Sequence, residues 1–358
     1  MADLLELLVA GRAHAGWESV RVVRSMEHGV GSFSLAASER WPGMDAARQI
    51  RPTESCELTI NGETLITGYV DEVEAAIEPG SHTVSVAGRD RAADLVDCSA
   101  VRKAGQWRGL RIEQIVAELA APFGVRVRAE VDTGKPLTSF ALQEGESVWD
   151  AITRAARIRA LLVTSDGAGG LVISRAGTGQ VATQLQLGVN LLKCSVKADY
   201  KDRFRDYLLK GQAPGGDFFN GSAASQIAAR ASDGGIARYR PLVITADAPD
   251  IAATLQQRAA WEANNRAARS LTVTATVQGW KHADGLWEPN RLVSVFAPEL
   301  HLVAQLLIVS VEFGLSDSEG STTTLTMTRA DAYTLLPVKQ TADAGGKFWD
   351  APTQEAAK

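Results

Sequence analysis

Apolar and polar residues alternate over the first part of the chain. Val20 and Val22 flank Arg21, and Phe33 and Leu35 alternate with Ser32 and Ser34. This is the two-residue period of a strand with one buried face. A short run, Leu7 to Ala10, leads through a loop at Gly11–Gly16 into a strand from Trp17 to Met26. Leu58–Ile60 and Leu65–Thr67 flank Asn61-Gly62-Glu63-Thr64, and Asn-Gly predicts a hairpin because both residues tolerate positive φ. A strand from Leu65 to Val73, a turn at Glu78-Pro79-Gly80 and a return from His82 to Ala87 follow. Together these predict an antiparallel barrel or sandwich of about six strands.

From about residue 101 the period lengthens. Leu110, Ile112, Ile115, Val116 and Leu119 share one helical face, and Pro122 with Gly124 ends that helix. Val125–Val131 reads as a strand. Ser147-Val148-Trp149-Asp150 has the form of a capping box, with Asp in place of Glu, for a helix to about Arg159. A hairpin follows, Leu161–Thr164 and Leu171–Ser174 around the Gly-rich turn Asp166–Gly170. The region 101–190 is therefore expected to be a small α/β module. Strand signals return near Cys194 and at Tyr207–Lys210. Residues 212–238, rich in Gly, Ala, Ser and Asp, are expected to be a mobile loop. Leu242–Thr245 is a short strand. Asp250–Ala268 is an Ala-rich helix, with Asp247 or Asp250 as its cap. Leu271, Val273, Ala275 and Val277 then alternate with polar residues, and Leu292–Phe296, Leu302–Phe313 and Thr322–Thr328 complete a second strand unit. Residues 336–358 are polar apart from Phe348-Trp349 and read as a flexible tail.

Two segments echo one another. Pro52–Leu95 and Pro289–Leu335 each run strand, turn, longer strand, polar turn, strand, and end in an Arg/Asp/Ala/Leu stretch. Any two strand–turn–strand segments share some of these features. The alternative is a duplicated domain, which in a closed trimer would give six similar positions around one axis. The expected fold class is β-rich α+β: two similar antiparallel β-barrel domains at 1–100 and 191–335, the second carrying an inserted loop and helix at 212–268. The α/β module lies between them, and the whole forms a ring-shaped trimer.

At 358 residues, 45% hydrophobic and 22% charged, the chain is a multidomain globular protein. Its net charge of -5 argues against a dedicated nucleic-acid binder. Cys56, Cys98 and Cys194 are odd in number and widely spaced, which suggests neither a disulfide framework nor a zinc site. The Leu4–Ala10 run is short, broken by Glu6 and not preceded by basic residues, unlike a signal peptide. No stretch of about 20 apolar residues is present to span a membrane.

Catalytic chemistry is sparse. His14, His28, His82, His282 and His301 are scattered, with no i, i+4 pair to suggest a metal. Cys98 lacks a partnered His and reads as a small packing residue. Asp71, Glu72 and Glu74, or Glu144 and Glu146, could form the paired carboxylates of a peptidoglycan-cleaving enzyme, but a solvated strand rim explains them as well. Asp166–Gly170 lacks the Lys-Ser/Thr of a phosphate loop. Of the eight tryptophans, Trp17, Trp107, Trp149 and Trp261 sit at packing positions. Trp280 and Trp287 flank a turn and read as an interface with a partner chain or a carbohydrate platform. Phe348 and Trp349 are a further possible anchor. No catalytic residue, metal or cofactor is expected.

Several strings together resemble a known family: GWESVRVVRSMEHGVGSFSL from Gly16, INGETLITGYVDEVE from Ile60, GRDRAADLVDCSA from Gly88, LAAPFGV from Leu119, GESVWDAITRAARI from Gly145 and GLWEPNRLVSV from Gly285. The chain resembles the baseplate hub proteins of Mu-type contractile phages, related to the late control D family and to the N-terminal hub of VgrG spikes. The resemblance spans roughly residues 5–335. It implies a non-enzymatic homotrimer in the phage tail baseplate of the virion, assembled in the host cytoplasm. The expected partners are a tail-tube protein above, a separate spike protein below and baseplate wedge proteins outside. Phage DNA would pass without specific binding.

Overall fold

The computed structural model describes residues 4–38, 50–79, 81–102, 105–177, 179–211, 227–246 and 255–337. Ten strands carry its architecture. The first five are β1 (Ser19–Ser25), β2 (Ser32–Ser38), β3 (Ser55–Ile60), β4 (Glu63–Glu78) and β5 (Ser81–Asp90). They lie side by side in the order β3-β4-β5-β2-β1, every neighbouring pair antiparallel. The second five are β6 (Leu191–Ala198), β7 (Leu271–Gln278), β8 (Arg291–Ala297), β9 (Leu302–Ser316) and β10 (Gly320–Thr328). Their order is β8-β9-β10-β7-β6, again all antiparallel. Position for position this is the same arrangement, threaded in the same chain order.

The two sets do not form separate barrels, which corrects the fold class expected from sequence. Residues Ser310–Leu315 of β9 pair antiparallel with Val20–Ser25 of β1, merging both sets into one 14-stranded open sheet. β6 stands at one end and the short strand Arg12–His14 at the other. The reason lies in strand length. β9 has 15 residues and its neighbour β8 has 7. The far half of β9 therefore outruns β8, and its free edge is taken by β1 of the other set. A barrel requires first and last strands of one set to bond to each other; in the first set the edge of β1 is taken by β9, and in the second set β6 and β8 do not pair. Inward residues of both sets, among them Val22, Phe33, Leu35, Val311 and Phe313, share a single core.

Between the sets lies a module with its own core. It begins with α1 (Ala93–Asp97), followed by α2 (Ile112–Ala120) and α3 (Val148–Arg157). The helices accompany a three-stranded sheet, Leu162–Ser165, Gly170–Ser174 and Arg126–Ala129, and a hairpin of Gln106–Leu110 with Leu137–Ala141. Leu110 thus ends a strand rather than starting the helix. Gly124 takes φ 67° to stop the chain after α2. Ser147 caps α3, its Oγ accepting from Asp150 N at 3.1 Å. Ser147→Ala is expected to lose about 1 kcal/mol, read by urea unfolding, with Ser147→Asp close to wild type.

A further unit hangs between β6 and β7: strands Asp206–Gly211, Ile227–Ser232 and Pro241–Ala246, with α4 (Leu255–Arg269) against them. Ile227–Ser232 is a paired strand, which corrects the expectation of one loop over 212–238. Alternation there is weak because Ala and Ser dominate. Residues 212–226, and the expected caps Asp247 and Asp250, lie outside the described residues.

Candidate functional site

The seam between the two strand sets is held on both faces. On the outer face Arg21 Nη2 donates to Glu312 Oε2 at 2.9 Å, an exposed pair of modest worth. On the core side Trp280 donates from Nε1 to the Gly314 carbonyl at 3.0 Å. Gly314 pairs with Arg21 across the seam. Trp280 and Trp287 are both fully buried within the chain. The Trp287 ring lies 4.7 Å from that of His282, whose pKa burial pulls down. A carbohydrate platform needs an exposed ring face, and neither indole offers one. Phe348 and Trp349 lie outside the described residues.

A second tie joins the module to the first strand set. Gly31 N donates to Asp90 Oδ2 at 2.6 Å, and Ala92 N donates to Asp90 Oδ1 at 2.9 Å. Burial raises the Asp90 pKa to about 6 against these bonds. Arg24 reaches across to the Asp166 carbonyl at 2.7 Å, and burial lowers its pKa. Thr67 N donates to the Gly167 carbonyl at 2.7 Å. A Cβ on Gly167 would stand 2.4 Å from the Leu65 carbonyl, so only glycine permits this approach. The turn Asp166–Gly170, read from sequence as a hairpin turn, is one, and it is also the module's docking point. Sequence reasoning missed Arg24 and Asp90. The available signal was a charge at an otherwise apolar inward position of a strand.

The acidic residues considered for hydrolysis are spent on ion pairs or lie apart. Asp71 accepts from Arg89 at 2.7 Å, and Arg89 also reaches Asp97 at 2.8 Å, which raises the guanidinium pKa. Glu146 pairs with Arg154 at 2.6 Å. Glu72, Glu74 and Glu144 are exposed. No group of three or more His, Cys, Asp or Glu side chains that could hold a metal occurs among the described residues. The cysteines form no disulfide: Cys56 is buried and its thiol is pushed up to about 12 by desolvation, Cys98 is exposed and Cys194 half-buried. No described helix is long and apolar enough to cross a membrane.

Two long stretches of strand edge in the large sheet remain open. β6 pairs with β7 along one side, and on the other side only Leu191 is bridged, to Leu187. β4 pairs with β3 only through Glu63–Tyr69, so its far half, Asp71–Glu78, has β5 on one side alone. Both statements concern the described residues. Unpaired edges are templates for another strand. Ile77 on this stretch is 79% exposed.

Buried ties between units and long unpaired strand edges suit a structural protein that assembles with others. Comparison with known proteins places it more narrowly. Residues 4–90 match the family model of the N-terminal domain of the Mu phage baseplate assembly protein GpP-like group, and residues 251–336 that of the GpP fourth domain. Residues 92–175 match the second domain of the baseplate hub protein gp44-like family. The chain is 37% identical over 348 residues to the baseplate hub protein gp44 of Escherichia phage Mu, covering 95% of this chain and 91% of that protein. It belongs to the Mu-type baseplate hub family, and it is a structural, non-enzymatic component of the phage tail baseplate, located in the virion. Among solved structures, the 43 kDa tail protein of prophage MuSo2 from Shewanella oneidensis superposes with a TM-score of 0.81 at 29% identity, covering 93% of this chain and 99% of that one. A tail protein from Neisseria meningitidis MC58 shares the fold, with a TM-score of 0.76 at 24% identity over 94% and 100% of the two chains.

Proposed function

We propose that three copies of the chain assemble about a threefold axis. They join a sixfold tail tube above to a trimeric spike below, with wedge proteins outside and phage DNA passing through the centre. The observation that carries this reading is the repetition of one five-strand arrangement twice in a single chain. Three chains then supply six near-equivalent strand sets to a sixfold partner, while the parts unique to each chain remain threefold for the spike. The net charge of -5 favours passage of DNA, because acidic residues outnumber lysines and arginines and on balance repel phosphates.

On this reading the chain divides into strand-rich units at 1–100 and 191–335, the module at 101–190 and a tail at 336–358. Trp280 and Trp287 serve a partner interface indirectly, by stiffening the Lys281–Leu286 hairpin between them, and Phe348 and Trp349 supply an anchor on a neighbouring subunit. Light scattering of the purified protein, alone and with its spike protein, tests the proposal. The expected particle has three times the 38.1 kDa chain mass. A monomer or dimer under both conditions overturns it.

A further inference from the structure

The internal seam supplies a template for a contact between chains. Each long strand has one bulge against the strand that follows it in the chain, and this fixes their alignment. In β9 the register with β10 shifts between Ile308 and Ser310, and in β4 the register with β5 shifts between Val70 and Glu72. Val309 therefore corresponds to Asp71, and beyond the bulge Glu312 corresponds to Glu74, Phe313 to Ala75 and Leu315 to Ile77. Following the pairings outward through β10 and β7, or through β5 and β2, gives the last strand. Val20 of β1 corresponds to Cys194 of β6, Val22 to Val196 and Val23 to Lys197.

Within the chain, β9 uses its far half to bind β1. The equivalent far half of β4 and the equivalent strand β6 are both left open among the described residues. We infer that β6 of one chain pairs antiparallel with residues Val73–Glu78 of β4 in a second copy, repeating the seam between β1 and β9. This rests on the trimer reading above and names its contact.

The copied register was set by backbone pairing alone, yet the side chains match across it. Glu312 stands opposite Val23 at the seam, so Glu74 stands opposite Lys197. One step along, Ala75 faces Val196 and Ile77 faces Cys194, and at the end Glu78 faces Lys193. The faces agree as well. Val73, Cys194 and Val196 already pack against the edge of the core, as Leu315 does at the seam. The lysines and glutamates fall on the opposite face, where the seam carries Arg21 and Glu312. Two Glu–Lys pairs and two apolar pairs thus arise on their proper sides, and the exposure of Ile77 gains a partner. Lys193 also contacts Glu319 of its own chain, so in the assembly it would sit between two carboxylates. The one like-charged pair, Glu72 against Asp199, falls where β6 has already ended at Ala198.

Disulfide trapping tests the register. Directly opposed residues in an antiparallel pair have Cα atoms about 4.5–5.5 Å apart, within the roughly 4.4–6.8 Å span a disulfide accepts. In a Cys98→Ser background, Ile77→Cys faces the native Cys194, and a second variant, Glu78→Cys with Lys193→Cys and Cys194→Ser, probes the adjacent pair. One of two adjacent pairs is always of the closer, non-hydrogen-bonded kind. The expected result is a covalent trimer under mild oxidation from at least one variant, reversed by dithiothreitol. A control carrying Ile77→Cys, Cys194→Ser and Val196→Cys, offset by two residues, should link far less. Light scattering on the same samples separates the two failures. A trimer that links at neither pair, or links equally well in the control, overturns this contact and leaves the trimer standing. A particle that is never trimeric overturns both. Glu74→Lys and Lys197→Glu should each weaken assembly about tenfold, and the double exchange should restore it; additive losses in the double variant would count against the pairing.

Discussion

Replacing Trp280 by alanine is expected to cost about 3–5 kcal/mol of stability, among the largest effects of any single substitution in this chain. Trp280 has no exposed surface, belongs to the core shared by both strand sets and donates to the Gly314 carbonyl. Alanine removes the ring and leaves a cavity against β9. It also strips the carbonyl of its partner beside the only strand pairing that joins the two sets among the described residues. Trp280→Phe keeps most of the ring and isolates the hydrogen bond, with an expected loss of about 1–3 kcal/mol. Urea unfolding followed by circular dichroism measures both. A loss below about 1 kcal/mol for the alanine variant would mean that the seam does not depend on this contact.

Asp90 should make stability depend on pH in the direction opposite to an ordinary ion-paired carboxylate. Its pKa rises from 3.8 to about 6, mainly through burial. Below about pH 4 the group is protonated in the folded and the unfolded chain alike. Between pH 4 and pH 6 the unfolded chain gives up the proton while the folded chain keeps it. This carboxyl's contribution to stability is therefore present at low pH and is lost as pH rises through 6. The two values imply a change on the order of 3 kcal/mol. Asp90→Asn does not titrate and turns an N–H toward the Gly31 or Ala92 amide, so it should be less stable than wild type at pH 4. That deficit should shrink by roughly 3 kcal/mol at pH 7. Unfolding of both proteins at the two pH values decides the matter. A deficit that stays constant, or grows, would show that Arg24 and the backbone donors outweigh desolvation.

Much of the secondary structure was legible because it answers to local rules. The alternation from Leu271 to Val277, the Asn61-Gly62 turn and the Ser147 cap each need only neighbours in sequence. The strand Ile227–Ser232 was not legible, since Ala and Ser fit a strand, a loop or a helix and only Asp206–Gly211 beside it decides. Arg24 and Asp90 were hidden for a related reason. A charge reads as exposed until the fold brings Asp166 and the Gly31 and Ala92 amides to it. The tryptophans at 280 and 287 marked an important place, but whether they faced outward or inward depended on the tertiary packing that buries both and brings the Gly314 carbonyl of β9 to Trp280.

By itself the sequence determined the family and the strand-rich character with an α/β module between like segments, because residue identity and spacing carry these; it left the internal repeat open, and the matching strand order established it. Only the tertiary structure decided how the repeats meet. Closure into two barrels and fusion into one open sheet use the same strands with the same alternation, and they differ solely in which backbone edge bonds to which. It took the placement of β9 against β1 to show that the second set lends its long strand to the first.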